Sequence, residues 1–235
     1  MSQYFDLTHL IQGFPQLLAF LGITLMVTAL AVIFGTALGL IIMVFKLSES
    51  RLLRFLGNLY TTLMRCTPSI VLLFLVYYGV PAIAESLNIY LHDVHSGVFV
   101  VLTFTIQFAA IMSEVLRSAY LSVDKQQYEA GVSVGLTSIQ TYIRIIIPQA
   151  VIVALPNFAN ALLELLKEGS LAYTIGFIDM MGKANLIVES NFNAHALEIY
   201  LALSLIYWSL SLIIEYIFSK VEQRFSKKQR QPGTI

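Results

Sequence analysis

Charge is what this sequence most lacks. Only 12% of its 235 residues are charged, while 57% are hydrophobic and the mean hydropathy is +0.78. A soluble domain carries roughly 25% charged residues to cover its surface. This chain cannot cover itself that way, and lipid is the solvent its side chains fit. The formal net charge of zero gives no hint of a nucleic-acid partner, and none is expected. Cysteine is nearly absent. Cys66 stands alone, so there is neither an intramolecular disulfide nor a CxxC-type metal site. His9, His92, His95 and His195 do not fall at zinc-ligand spacing, and no metal site is expected. No lysine or arginine precedes Lys46. The first long apolar run therefore has no basic leader, and no small-x-small site ends it, so it reads as a span rather than a cleavable signal. A phosphate loop is also missing. The nearest stretch, Gly176 to Ala184, has five residues between its glycines and an alanine where a magnesium-binding hydroxyl belongs. The chain is not expected to hydrolyse ATP.

What is present is a set of apolar segments of membrane-crossing length, about 20 residues each. Spans are expected at 17–45, 58–78 (stopping at Gly79-Val80-Pro81), 97–117, 149–166 and 197–218. Residues 169–181 are apolar but short and interrupted by glycine. They read as a re-entrant or interfacial helix, packed in protein or lining a cavity. Gly35 and Gly39 lie at the G-x-x-x-G spacing that lets helices approach closely, though membrane helices also simply tolerate glycine. Residues 1–16 place Tyr4, Phe5, Leu7, Leu10 and Ile11 at helical spacing, as an interfacial helix on the outer surface would. Residues 17–220 then form the transmembrane domain, and 221–235 a polar tail, frayed from Lys227 onward with Pro232 and Gly233.

Twelve of the fourteen lysines and arginines fall on one side if five helices alternate: Lys46, Arg51, Arg54 and Arg65, then Arg117, Lys125 and Arg144, then Lys220 and the tail. The loop 81–96 has none. The positive-inside rule puts the N-terminus outside and the C-terminus in the cytoplasm.

The loop 122–150 is built rather than loose. Asp124 can cap a helix with Gln127 completing a capping box, Gly135 can end it in a left-handed conformation, and Thr137 can cap a second helix with Gln140. Pro148 sits where that helix gives way to the fourth span. Two short capped helices form a stiff elbow, suited to transmitting force; a membrane-surface anchor is the other reading.

Polar groups at membrane depth are costly and call for a reason. Gln107 is the one strong amide within the third span, suited to an amino-acid ligand or to an interhelical hydrogen bond. Glu164 and Glu168 share a helix face with Lys167 beside them. They could hold a zwitterion, carboxylate to ammonium and lysine to carboxylate, or pair internally. Glu114 and Arg117 read as a structural ion pair, and Glu198 and Glu215 as snorkelling or paired.

Glu129-Ala130, then Gly135, then Ile145-Ile146-Ile147-Pro148 resemble the EAA loop of ABC importer permeases, with Gly131 where the family has alanine. The resemblance runs along nearly the whole chain and points to the polar amino-acid uptake family of the histidine, glutamine, arginine or cystine type. Thr24-Leu25 with the Gly35/Gly39 region, Arg65-Cys66-Thr67-Pro68, Tyr77 to Pro81, Ser113 to Arg117 and Lys167-Glu168-Gly169-Ser170-Leu171 each resemble its motifs. Departures are Cys66 for glycine and Glu168-Gly169 for Asp-Thr/Ser; the latter leaves the substrate open.

The resemblance implies an all-α type I ABC importer transmembrane fold: five transmembrane helices plus a cytoplasmic coupling helix. It implies a multi-pass bacterial inner-membrane protein. Glu129, Ala130, Gly131, Gly135 and Leu136 would couple to an ATP-binding cassette subunit, which carries ATP and magnesium; this chain would bind no cofactor. Ser69, Ile70, Gln107, Phe108, Lys167 and Glu168 would line the path of a polar amino acid, cystine being one candidate. An extracytoplasmic binding protein would deliver it, and a second permease chain, identical or related, would complete the channel. An oligomeric secondary amino-acid carrier is the alternative, although the chain is short for one.

Overall fold

A computed structural model of the chain describes residues 5–91 and 93–230, with side chains through Phe225. Tyr4, His92, Pro232 and Gly233 lie outside the described residues, as do the side chains of Lys227, Lys228 and Arg230. The described residues form helices joined by short turns and loops, with no strand among them, and five helices are long and apolar enough to cross a membrane.

Helix α1 (Leu7–Leu18) opens at Asp6, whose carboxylate accepts from the Thr8 N–H at 2.8 Å; that bond holds the carboxyl below its usual range. Leu17 and Leu18 end α1, and the first span, α2 (Leu21–Leu47), begins after a break at Ala19-Phe20. The sequence reading ran them together because nothing local breaks the apolar run. Packing does: Leu17 is fully buried in one cluster with Met180, Ile187 and Ile199. One face of α1 lies on the last helix, where the Asp6 N–H donates to Glu198 Oε1 at 3.0 Å and the His9 and His195 rings stack 3.6 Å apart. Leu7 and Ile11 stay exposed on the other face.

The two glycines of α2 face α5 (Ser96–Leu121). A Cβ at Gly35 would lie 3.0 Å from the Thr105 carbonyl, and one at Gly39 2.9 Å from Met112 Cβ. Close approach, not mere tolerance, accounts for this spacing. Phe104, Phe108 and Met112 fill the core beside it.

The stretch read as one span, 58–78, is divided between two helices, α3 (Arg51–Cys66) and α4 (Ser69–Ser86), of which α4 alone is long and apolar enough to cross. Proline bars the preceding residue from helical backbone, and Thr67 accordingly sits at ψ 123. Thr61 lies beside Ser113, Ser69 beside Gln107 and Tyr77 against Phe99, so the two pieces descend α5 in sequence. Helix α4 passes through Gly79-Val80-Pro81 to Ser86. Membrane helices absorb proline where soluble ones end.

After α5 come α6 (Lys125–Ser133), α7 (Ser138–Thr141), a π turn (Tyr142–Ile146) and α8 (Ile147–Glu168), with Pro148 in its first turn. A 3₁₀ segment (Gly169–Ile175) extends α8 and stops at Gly176, whose φ is +77. Helix α9 (Met180–Ser190) starts on the Asp179 cap. The expected irregular segment 169–181 is thus a 3₁₀ extension plus a turn, with Ala172, Ile175, Phe177 and Asp179 buried in protein. Helix α10 (Ala196–Arg230) continues well past residue 220, so no break separates span from tail there.

Candidate functional site: a polar cavity and a capped elbow

The α3–α4 break opens a cavity of about 590 Å³ against α5 and α8. Its polar wall includes Arg65, Ser69, Gln107, Glu114, Glu164 and Glu168. Gln107, on α5, is 8% exposed. Its Nε2 donates to Ser69 Oγ at 2.6 Å and to Glu168 Oε2 at 3.0 Å. Its Oε1 is buried and has no partner among the described residues. A buried amide oxygen without a donor is costly, and a ligand N–H entering the cavity would satisfy it.

Of the residues read from sequence as a substrate path, the structure brings Ser69, Gln107 and Glu168 together. It does not bring the other three. Phe108 is fully buried in the core, edge-on to Phe158. Ile70 is half-buried outside the cavity wall. Lys167 lines a separate cavity with Tyr207, Trp208 and Ser211. Adjacent residues on a helix point about 100° apart, and here that step puts Lys167 and Glu168 in different cavities.

Arg65, Cys66 and Glu114 reach the cavity although the sequence reading had not placed them there. Arg65 lies in the last turn of α3, on the cavity wall, rather than among the end-of-span basic residues. The Glu114–Arg117 pair is present, with Nη2 to Oε2 at 2.9 Å. Lys46, from α2, joins it and also donates to Thr61 Oγ1 at 3.0 Å. Glu198 pairs as described above, and Glu215 is exposed.

The elbow is set by three local devices. Asp124 caps α6 through the Gln126 N–H at 2.9 Å rather than through a box with Gln127. At the other end, Leu136 N–H bonds the Gly131 carbonyl at 3.2 Å and Gly135 N–H the Val132 carbonyl at 3.0 Å, with Gly135 at φ +88. This is a Schellman motif, and it needs a residue that accepts positive φ. The Thr137–Gln140 capping box is formed in both directions. Glu129, Ala130 and Gly135 are exposed and Leu136 half-exposed. Gly131 is not on that face. It is buried, and a Cβ there would meet Thr141 Cγ2 at 2.6 Å. Val134 and Ile139 stand 77% and 72% exposed beside the glycine turn.

The family of binding-protein-dependent transport system inner membrane components matches residues 31–227. This chain belongs to that family. The permease is 34% identical to the L-cystine transport system permease protein TcyL of Bacillus subtilis, over 100% of this chain and 98% of that one. It is 34% identical to a probable amino-acid ABC transporter permease protein, PatM, of Vibrio harveyi, over 95% and 97% of the two chains. Among solved structures, an amino acid ABC transporter crystallised with histidines superposes with a TM-score of 0.80 at 28% identity, covering 94% of the permease and 99% of that chain. The MetNI methionine ABC transporter, in inward facing conformations, matches with a TM-score of 0.66 at 16% identity over 93% and 97%, a likeness of fold. The permease thus has the type I ABC importer transmembrane fold, and such permeases work with an ATP-binding subunit and a substrate-binding protein.

Proposed function

We propose that this permease carries a polar amino acid across the bacterial inner membrane, receiving it from an extracytoplasmic binding protein. Hydrolysis of ATP with magnesium in a partner subunit drives the cycle. The observation that carries this reading is the buried Gln107 amide, joined to Ser69 and Glu168 midway along α5 in a cavity with ample room for an amino acid. The relatives' names support the substrate class, and cystine is the candidate they suggest. The exposed elbow residues Glu129, Ala130, Gly135 and Leu136, with Val134 and Ile139, form the docking face for the ATP-binding subunit. Gly131 acts from behind that face by letting α6 close on Thr141. The basic residues at the elbow end support a cytoplasmic elbow and an N-terminus outside. Two permease chains, identical or related, enclose the path.

The test is reconstitution of the permease with its ATP-binding subunit and binding protein in liposomes, with a panel of labelled amino acids. ATP-dependent uptake stimulated by the loaded binding protein is the expected result. Uptake that needs no ATP-binding subunit and follows a sodium or proton gradient would instead establish a secondary carrier.

A further inference from the structure

The Gln107 cavity leaves Lys167 unused. That lysine lines a second cavity of about 440 Å³, walled by α8, the 3₁₀ segment, α9 and α10, together with Ser170, Ser204, Tyr207, Trp208 and Ser211. Its ammonium has no ion-pair or hydrogen-bond partner among the described residues. Its depth follows from its neighbour, since Glu168 accepts from Gln107 midway along α5. The hydrocarbon core is about 30 Å thick, so lipid phosphates lie about 15 Å from that level, beyond a lysine's reach. An uncompensated ammonium there is costly, and it calls for a charged partner. The wall around it is rich in free donors. Trp208 Nε1 and Ser211 Oγ have no partner among the described residues, and the Tyr207 hydroxyl is buried without one. Ser170 and Ser204 donate to backbone carbonyls. No carboxylate lines this cavity. Asp179 acts electrostatically on Tyr207, but it accepts from the Gly182 N–H at 2.9 Å and stays outside the lining.

We infer that this second cavity is an anion site that takes the carboxylate of the carried amino acid, with Lys167 as its cation and Trp208, Ser211 and Tyr207 as donors. The inference rests on the amino-acid import reading above and adds a second station to it. Adjacent residues of α8 then serve opposite charges in separate cavities, Glu168 in the first and Lys167 in the second. A zwitterion in a low-dielectric path needs both its charges satisfied, and Lys167 supplies a cation beyond the Gln107 cavity. A carboxylate of a second permease chain has the same chemistry, and the experiment separates the two sources.

Trp208 is the only tryptophan of the chain, so it reads this cavity directly. The permease–ATP-binding subunit complex is labelled with fluorotryptophan in nanodiscs, and the Trp208 fluorine resonance is assigned by its loss in Trp208→Phe. Lysine, glutamine and cystine are titrated in, each against its carboxamide, with chloride and acetate as simple anions. At least one of the amino acids should shift the resonance saturably, its carboxamide binding at least about tenfold more weakly. Lys167→Met should weaken that titration at least about tenfold, while Lys167→Arg, which keeps the charge, retains most of it. Lys167→Met also removes a lone charge from the membrane, so the thermal unfolding midpoint should not fall, which separates loss of the site from misfolding. A shift that survives Lys167→Met is relayed from the Gln107 cavity and overturns the inference. So does a response to chloride or acetate as strong as to the amino acid, the mark of an adventitious ion only. If no amino acid moves Trp208 and Lys167→Met splits the permease pair on size-exclusion chromatography, the carboxylate belongs to the second chain, and the inference falls while amino-acid import stands. No shift with the pair intact overturns it likewise. A complex that binds none of the three and imports no amino acid with its binding protein overturns both readings.

Discussion

The ammonium of Lys46 is held by the carboxylate of Glu114, 68 positions away, in a pocket that leaves the lysine side chain 2% exposed. Thr61 completes its coordination, so one charge joins α2, α3 and α5. Arg117, on the other carboxylate oxygen, is about a third exposed. Removing one partner of a buried pair leaves the other charge stranded, at about 3 kcal/mol. Glu114→Gln should therefore lower the thermal unfolding midpoint of the purified complex markedly. The double variant Lys46→Met/Glu114→Gln should recover most of the loss, while Arg117→Gln costs under about 1 kcal/mol. Equal effects of Glu114→Gln and Arg117→Gln would show that Lys46 is not the principal partner.

Gly131 and Thr141 should behave as a coupled pair. An alanine at 131 puts Cβ 2.6 Å from Thr141 Cγ2 and 3.0 Å from Ile145 Cδ1, so Gly131→Ala should loosen the elbow and reduce binding-protein-stimulated ATPase activity. Gly131→Ala/Thr141→Ala removes the closer clash and should restore much of it. At Gly135 no neighbour lies within 4 Å of a Cβ, and only the positive φ is at stake. Gly135→Asn should thus be tolerated better than Gly135→Val, which costs on the order of 1–2 kcal/mol or more in left-handed backbone. Stimulated ATPase activity of the assembled complex, compared across these four variants, is the measurement.

Gln107 and its neighbour Phe108 should separate function from packing. Gln107→Leu leaves Ser69 and Glu168 without their shared donor. It should weaken amino-acid affinity by roughly five- to hundredfold, the price of one to three kcal/mol of unmatched polarity. Phe108→Leu removes core volume beside Gly35 and Phe158 and should lower thermal stability, with the rank order of bound amino acids unchanged. Saturation binding and unfolding on the same preparations check both. A changed rank order in Phe108→Leu would put that residue back in the substrate path.

Topology is open to cysteine labelling. With Cys66 replaced by serine, a cysteine at position 90 should react with an impermeant maleimide added outside intact cells. One at position 130 should react only after the membrane is opened. The reverse pattern would invert the orientation drawn from the basic residues.

Composition and contacts between near neighbours in the chain control much of this permease. Low charge and long apolar runs required the membrane. Thr137 with Gln140 and the left-handed Gly135 were legible because caps and turns are formed by residues within about one helical turn. Gln107 was legible as an amide with nowhere polar to go. Which way side chains face, and what interrupts the helices, came from packing. It separated Lys167 from Glu168, sent Phe108 into the core and hid Gly131 behind the exposed face of the elbow. It also cut Leu17 from the first span and joined Lys46 to Glu114. An apolar run has polarity on no side, so its periodicity cannot say which face meets lipid and which meets protein. Only packing of one helix on another supplies that distinction, and with it the wall on which Ser69, Gln107 and Glu168 meet.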